Sequence, residues 1–238
     1  MPVEKAYSLD GVPLLASLDG AERDALLRKC RVRTFADGEH VIDIDDRSRE
    51  VHFVVSGVVR IVNFSLSGRE VALDDIGPGG YFGELAAIDG GPRSAYVMAH
   101  GGPAATAALP CTAFLDLLTG KPQVGLEIMR RLAKMVRQDT DRIMGLSTLG
   151  ANNRVYAELL RQAWLFSGDG RTAAIAPIPL HSDIASRVGT TRETVSRALN
   201  GLARQGLVER RRDTLFVADM VALAKMIDDL PGGRGTGL

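Results

Sequence analysis

Glu84, Arg93 and Ser94 sit close together in one segment, Tyr81-Phe82-Gly83-Glu84-Leu85-Ala86-Ala87-Ile88-Asp89-Gly90-Gly91-Pro92-Arg93-Ser94-Ala95-Tyr96-Val97. Those residue types can hold a small anion that carries a sugar. A phosphate needs a cation, a sugar hydroxyl needs a carboxylate, and free backbone N–H groups help both. Arg93 and Glu84 supply the first two, and the start of a short helix near Gly83–Ala87 would supply the third. The upstream run Gly77-Pro78-Gly79-Gly80 does not extend to a dinucleotide loop, because GxGxxG would require glycine at Phe82. The residues alone fit a structural Glu84–Arg93 ion pair across a turn equally well.

A second segment, Ser182 to Leu199, has the features of a helix-turn-helix. Ser182 is expected to cap the first helix, with Ile184, Ala185 and Val188 on its buried face. Gly189 permits a left-handed tight turn. Thr190 or Thr191 can cap the second helix, whose Val195, Ala198, Leu199 and Leu202 point inward. Arg192, Glu193, Ser196 and Arg197 then remain on the outer face near its N-terminus, where a recognition helix meets base edges. Arginine can pair with guanine and glutamate can accept from cytosine. The run Leu207–Val217 reads as a hairpin wing, with Arg211 and its neighbours placed for phosphate. An ordinary pair of helices with a charged solvated face is the plainer alternative.

Both segments need scaffolds. From Val32 to about Leu109 the chain runs in short β-type stretches, such as Val51–Val55, Val58–Val62 and Glu70–Leu73, separated by glycine turns including Ser67-Gly68. Many short strands at even spacing suggest a barrel or jelly roll. Residues 20–30 read as a short helix before it. A long helix is expected over 121–147, where Met129, Ala133, Val136, Thr140, Ile143 and Ser147 recur at coiled-coil spacing. A parallel stripe, Ile128, Leu132 and Met135, would pack on the barrel. Two apolar stripes need two partners, which favours a homodimer; a helix buried within one chain would show the same pattern. Residues 148–152 look like a hinge with an Asn cap, followed by a helix over 154–164. The Gly-rich tail, 231–238, reads as disordered.

Bulk properties are those of a globular protein, with 24% charged and 45% hydrophobic residues. No apolar run is long enough for a membrane span, and the N-terminus lacks a signal pattern, so a cytoplasmic address is expected. Net charge is zero, yet from Asn152 onward 12 basic residues face 9 acidic ones, and seven arginines crowd between His181 and Arg212. That local excess suits phosphates. Cys30 and Cys111 form no metal or redox pair, and they cannot supply the four ligands of an iron–sulfur cluster. His40, His52, His100 and His181 are scattered with no nucleophile–base spacing, so an enzyme is disfavoured.

The sequence resembles the cAMP receptor protein (Crp/Fnr-type) family of bacterial transcription regulators. Phe82-Gly83-Glu84-Leu85-Ala86 followed by Pro92-Arg93-Ser94-Ala95 is similar to the family's phosphate-binding cassette, and Arg192-Glu193-Thr194-Val195 with Arg197 is similar to its recognition helix. The resemblance implies an α+β protein with an N-terminal cyclic-nucleotide-binding β-roll (1–120), a dimerisation helix (121–147), a hinge (148–152) and a winged helix-turn-helix (153–230). It implies that Glu84 accepts from the ribose 2′-hydroxyl and that Gly83, Leu85 and Ala86 complete the cassette. Arg93 and Ser94 would hold the cyclic phosphate, and Asp139 and Thr140 would read the base from the long helix. The family has two hydroxyl residues there, and Asp139 departs from that pattern. The implied effector is cAMP, with cGMP a second candidate. The implied partners are a second copy of the chain, RNA polymerase, and palindromic duplex DNA with a TGTGA-like half-site, met by Thr191, Arg192, Glu193, Ser196, Arg197 and Arg211. The same fold with a haem effector, or none, is the alternative.

Overall fold

A computed structural model describes residues 7–228 except Ser67, so the expected tail at 231–238 lies outside the described residues. The chain divides into two compact units, Met1–Met135 and Val136–Leu238. The division falls within the long helix rather than at its start, where residue 120 was expected to end the first domain.

The first unit opens with a 3-10 turn at Pro13–Leu15 and helix α1, Gly20–Lys29. Asp19 starts α1 with a capping box: its carboxylate accepts from the Glu22 N–H, and Glu22 accepts from the Asp19 N–H. The strands are β1 (Arg31–Phe35), β2 (His40–Ile42), β3 (Val51–Ser56), β4 (Val59–Phe64), β5 (Glu70–Ile76) and β6 (Tyr81–Phe82). A short helix α2, Glu84–Asp89, precedes β7 (Tyr96–Ala99) and β8 (Ala104–Leu109). Antiparallel pairing builds two four-stranded sheets, β1-β8-β3-β6 and β2-β7-β4-β5.

The two-residue period of a strand explains how these sheets pack. In β3, Val54 turns toward the second sheet, in a cluster with Phe35, Phe82, Val59, Ile76 and Val97. Val51 and Phe53 turn the other way, onto Leu15, Leu26, Phe114, Val124 and Ile128. The first sheet is thus covered on both faces, and every residue of β8 is buried. Its alanines leave room for a layer on each side. Helix α3, Cys111–Gly120, supplies Phe114 to that cover. Its short apolar run had given no helical signal distinct from a buried strand.

The expected long helix is α4, Pro122–Thr148. Val124 and Ile128 are buried on the β-roll core, with Leu132 partly buried against it. The other stripe faces outward: Met129 is 60% exposed, Val136 66% and Ile143 63%.

The second unit continues with α5 (Ala151–Phe166), β9 (Ala173–Ile175), α6 (His181–Val188), α7 (Arg192–Arg204), β10 (Val208–Arg211), β11 (Thr214–Val217) and α8 (Met220–Asp228). The break between α4 and α5 is confined to Leu149 and Gly150, tighter than the expected 148–152 hinge. Gly150 occupies the cap position with no side-chain bond, so the expected Asn cap is corrected. The wing contains a strand that sequence pattern missed: the sheet runs β10-β11-β9, with Phe216 opposite Ala174. Leu159, Leu160, Ile184, Val195, Leu202 and Val217 form one core beneath it.

Candidate functional site

The anion-type segment folds as strand, glycine, helix and loop. β6 ends at Phe82, Gly83 takes a left-handed φ of 85°, and α2 begins at Glu84. A Cβ on Gly83 would lie 2.7 Å from Arg93 Nη1 and 2.8 Å from the Glu50 carbonyl, so glycine is required by both backbone and space. The cassette's remaining members divide between core and surface. Ala86 is buried, Leu85 half-buried, and Ser94 exposed, its carbonyl accepting from Asn63 Nδ2 at 3.1 Å.

Arg93 is the centre of this arrangement, with only 4% of its surface exposed. Its Nη1 donates to the Gly83 carbonyl at 3.1 Å. Its Nη2 donates to Ser48 Oγ at 2.9 Å and to the Glu50 carbonyl at 3.0 Å. Its Nε is buried with no partner. Burial pulls its pKa below the usual arginine value, opposed by the charges of Asp46, Glu50 and Glu84. Among the described residues no carboxylate pairs with Arg93 within 4.0 Å, so the simple Glu84–Arg93 ion pair is ruled out. Glu84 is itself 4% exposed and carries no hydrogen bond or ion pair among the described residues. A buried charge surrounded by neutral oxygens is costly unless something else completes its shell. Arg93 is such a charge, and Glu84 is a second buried ionisable side chain in the same cassette.

Behind the Asp43–Glu50 segment lies a cavity of about 270 Å³, lined by Arg31, Arg33, Asp46, Glu50, His52 and Thr106 among others. His52 stacks on Phe82 with ring centroids 5.0 Å apart and shares a hydrogen bond with Thr106 Oγ1 at 3.1 Å. None of these partners was legible in local spacing, because their contacts join strands far apart in the chain.

Asp139 and Thr140 are exposed on the part of α4 that belongs to the second unit. Thr140 donates its hydroxyl hydrogen to the Val136 carbonyl at 2.8 Å, so it turns lone pairs outward. Arg142 is drawn electrostatically toward Asp139 and donates to the Arg187 carbonyl at 3.0 Å. Arg154 donates to the carbonyls of Leu149, Val188 and Gly189. Two arginines therefore satisfy the carbonyls that the C-terminus of α6 leaves open.

The helix-turn-helix is α6, the Gly189 turn at φ 63°, and α7. The first helix begins one residue before Ser182, with Leu180 at the cap position, which corrects the expected Ser182 cap. Thr191 caps α7 by accepting from the Thr194 N–H at 3.3 Å. Val195, Ala198, Leu199 and Leu202 are buried, leaving Arg192, Glu193 and Arg197 exposed and Ser196 half-exposed. Arg197 Nη2 donates to Thr194 Oγ1 at 3.2 Å. Glu193 is held below the usual glutamate pKa by its own backbone N–H and by Thr191. On the wing, Arg211 pairs with Glu209 at 2.6 Å and lies 3.9 Å over the Phe216 ring.

The order of parts has matches in known proteins. The cyclic nucleotide-binding domain model matches residues 32–120, and the Crp-like helix-turn-helix domain model matches residues 153–226. A cyclic AMP receptor protein of Thermus thermophilus is 32% identical over 92% of this chain and 98% of its own length. The chain belongs to the cAMP receptor protein (Crp/Fnr) family. It is a Crp-like cyclic-nucleotide-binding transcription regulator with a DNA-binding helix-turn-helix. A CRP-like cAMP-activated global transcriptional regulator of Mycobacterium tuberculosis is 26% identical, over 84% of this chain and 90% of its own. The fold is also similar to a solved c-di-GMP responsive global regulator of Xanthomonas campestris. Its TM-score is 0.68 at 21% identity, over 84% of this chain and 99% of that one. Among the described residues no helix is long and apolar enough to cross a membrane.

His52 makes the β-roll pH-sensitive. Burial, with Arg93 and Arg31 nearby, lowers its pKa from 6.5 to about 4. The unfolded chain therefore binds the extra proton between those values, so stability is whole above pH ~6.5 and is lost as pH falls toward 4. The loss expected from this group is about 3 kcal/mol. Urea unfolding at pH 7 and pH 5 should show a smaller drop for His52→Gln than for the wild type, and equal drops would contradict it.

Proposed function

We propose that the protein is a homodimeric regulator whose N-terminal unit binds cAMP and whose C-terminal unit then reads palindromic DNA. The observation that carries this reading is Arg93, a buried guanidinium with an unpartnered Nε and only neutral acceptors around it. A cyclic phosphate would supply the missing charge, and a ribose 2′-hydroxyl would supply a donor for Glu84. Ser94 is the adjacent exposed hydroxyl. In this reading residues 1–120 bind the nucleotide, α4 dimerises, and residues 153–230 bind DNA in the cytoplasm.

Base choice falls to Asp139 and Thr140. Both present acceptors, Asp139 through its carboxyl oxygens and Thr140 because its hydrogen is committed to Val136. Acceptors suit adenine's exocyclic amine, and they also suit the N1–H and N2–H₂ edge of guanine. We therefore assign cAMP as effector with cGMP as a weaker second ligand. Titration calorimetry tests both points. Arg93→Ala should lose nucleotide binding, and Arg93→Lys should also weaken it because the ammonium cannot reproduce the planar fork. Undiminished affinity in Arg93→Ala would end the phosphate reading. A cGMP affinity more than about a thousandfold below that for cAMP would end the dual-ligand idea.

The dimer reading rests on the uncovered Met129, Val136 and Ile143 stripe, which spans both halves of α4. Val136→Glu should shift the protein toward monomer in sedimentation and weaken DNA binding with it. A wild type that sediments as a monomer at micromolar concentration would refute the dimer.

DNA reading is assigned to Thr191, Arg192, Glu193, Ser196 and Arg197 on α7, with Arg211 on the wing near phosphate. Arg192→Ala should cost roughly 1–3 kcal/mol and relax preference at one base pair per half-site. An equal loss on all DNA sequences would reassign Arg192 to phosphate contact.

A further inference from the structure

The Arg93 guanidinium has five N–H groups, and three of them are engaged by neutral oxygens. Both hydrogens of Nη2 and one of Nη1 are used, which leaves Nε–H open on one edge of the guanidinium and the second Nη1 hydrogen open on another. Two of the three engaged bonds go to backbone carbonyls, whose positions the fold determines. The third goes to the Ser48 hydroxyl, which could in principle rotate away.

It is prevented from doing so by Asp46. Ser48 Oγ donates to Asp46 Oδ2 at 2.8 Å, and the Ser48 N–H donates to Asp46 Oδ1 at 2.8 Å. With its only hydrogen committed to a carboxylate, the hydroxyl must turn a lone pair toward Arg93. The carboxylate polarises that hydroxyl and makes it a better acceptor for the Arg93 N–H. The same bonds, with the nearby Arg93 charge, hold Asp46 below the usual carboxylate pKa.

We propose that Ser48, oriented by Asp46, is a positioning residue that holds the Arg93 fork in the orientation that receives the cyclic phosphate. This rests on the phosphate reading of Arg93. A hydroxyl in place of a carboxylate grips the fork without neutralising it, so the attraction for an incoming anion is retained. An ion pair at position 48 would have oriented Arg93 equally well and cancelled its charge.

The test is calorimetric titration of the full-length wild type, Ser48→Ala, Ser48→Thr and Asp46→Asn with cAMP and with cGMP, each variant first checked by thermal melting. Ser48→Ala should bind about tenfold more weakly, the worth of one hydrogen bond to a charged group. Ser48→Thr, which keeps the hydroxyl, should restore most of the affinity, and Asp46→Asn should show a smaller loss than Ser48→Ala. Asp46 is exposed, so its substitution carries the test should Ser48→Ala not fold. Unchanged affinity in Ser48→Ala, or equal losses in the alanine and threonine variants, overturns the inference. Tighter binding would also overturn it, by showing that Ser48 competes with phosphate for Arg93. If the wild type itself takes up neither nucleotide, the phosphate reading falls and this inference with it. Normal wild-type binding beside an unaffected Ser48→Ala removes this inference alone.

Discussion

A positive charge buried among neutral oxygens is the constraint around which the first unit is arranged. Arg93 reaches its position because Gly83 lacks a Cβ, and because the Asp43–Glu50 segment folds back to offer Glu50's carbonyl and Ser48's hydroxyl. Desolvating a guanidinium without an anion is expensive, and the surrounding β-roll must offset that cost. It does so through a sheet covered on both faces, with β8 buried along its whole length. Large apolar burial thus supports a site that would be unfavourable alone, a common arrangement where function needs strain or unpaired charge.

The polar residues inside the roll follow from the same geometry. Once Val51 and Phe53 face the helices, alternation places His52 and Val54 on the inner face. His52 must then be neutral and paired, which Thr106 from β8 accomplishes. Asp46 is held in the same region by its two bonds from Ser48, which, with the nearby Arg93 charge, also keep its pKa below the usual carboxylate value.

In the second unit the corresponding constraint is the open C-terminus of α6. Its carbonyls are taken by Arg142 from α4 and Arg154 from α5, so the recognition motif is tied to the helix that carries Asp139 and Thr140. Gly189 makes the left-handed turn that aims α7 outward, and Thr191 caps the helix there. Asp139, Thr140 and the helix-turn-helix therefore share one short connected structure within that unit.

The parts whose signals are local were legible along the chain. Coiled-coil spacing placed α4 with two apolar stripes, glycine and threonine marked the turn and cap before α7, and Glu84 with Arg93 marked an anion-type cassette. These depend on residues within a few turns of one another, so periodicity and spacing carry them. Tertiary structure decided everything that depends on distant partners. Whether Arg93 paired with Glu84 or stood alone could not be read from their spacing, because the answer lay in Ser48 and Glu50, more than forty residues upstream. Helix α3 and strand β9 were missed for the same reason: α3 is an apolar run whose type is set by the sheet beneath it, and β9 is a strand only through its pairing with β11. A short segment has too little intrinsic preference to choose its own conformation, and a buried charge has no fixed partner until the fold closes around it.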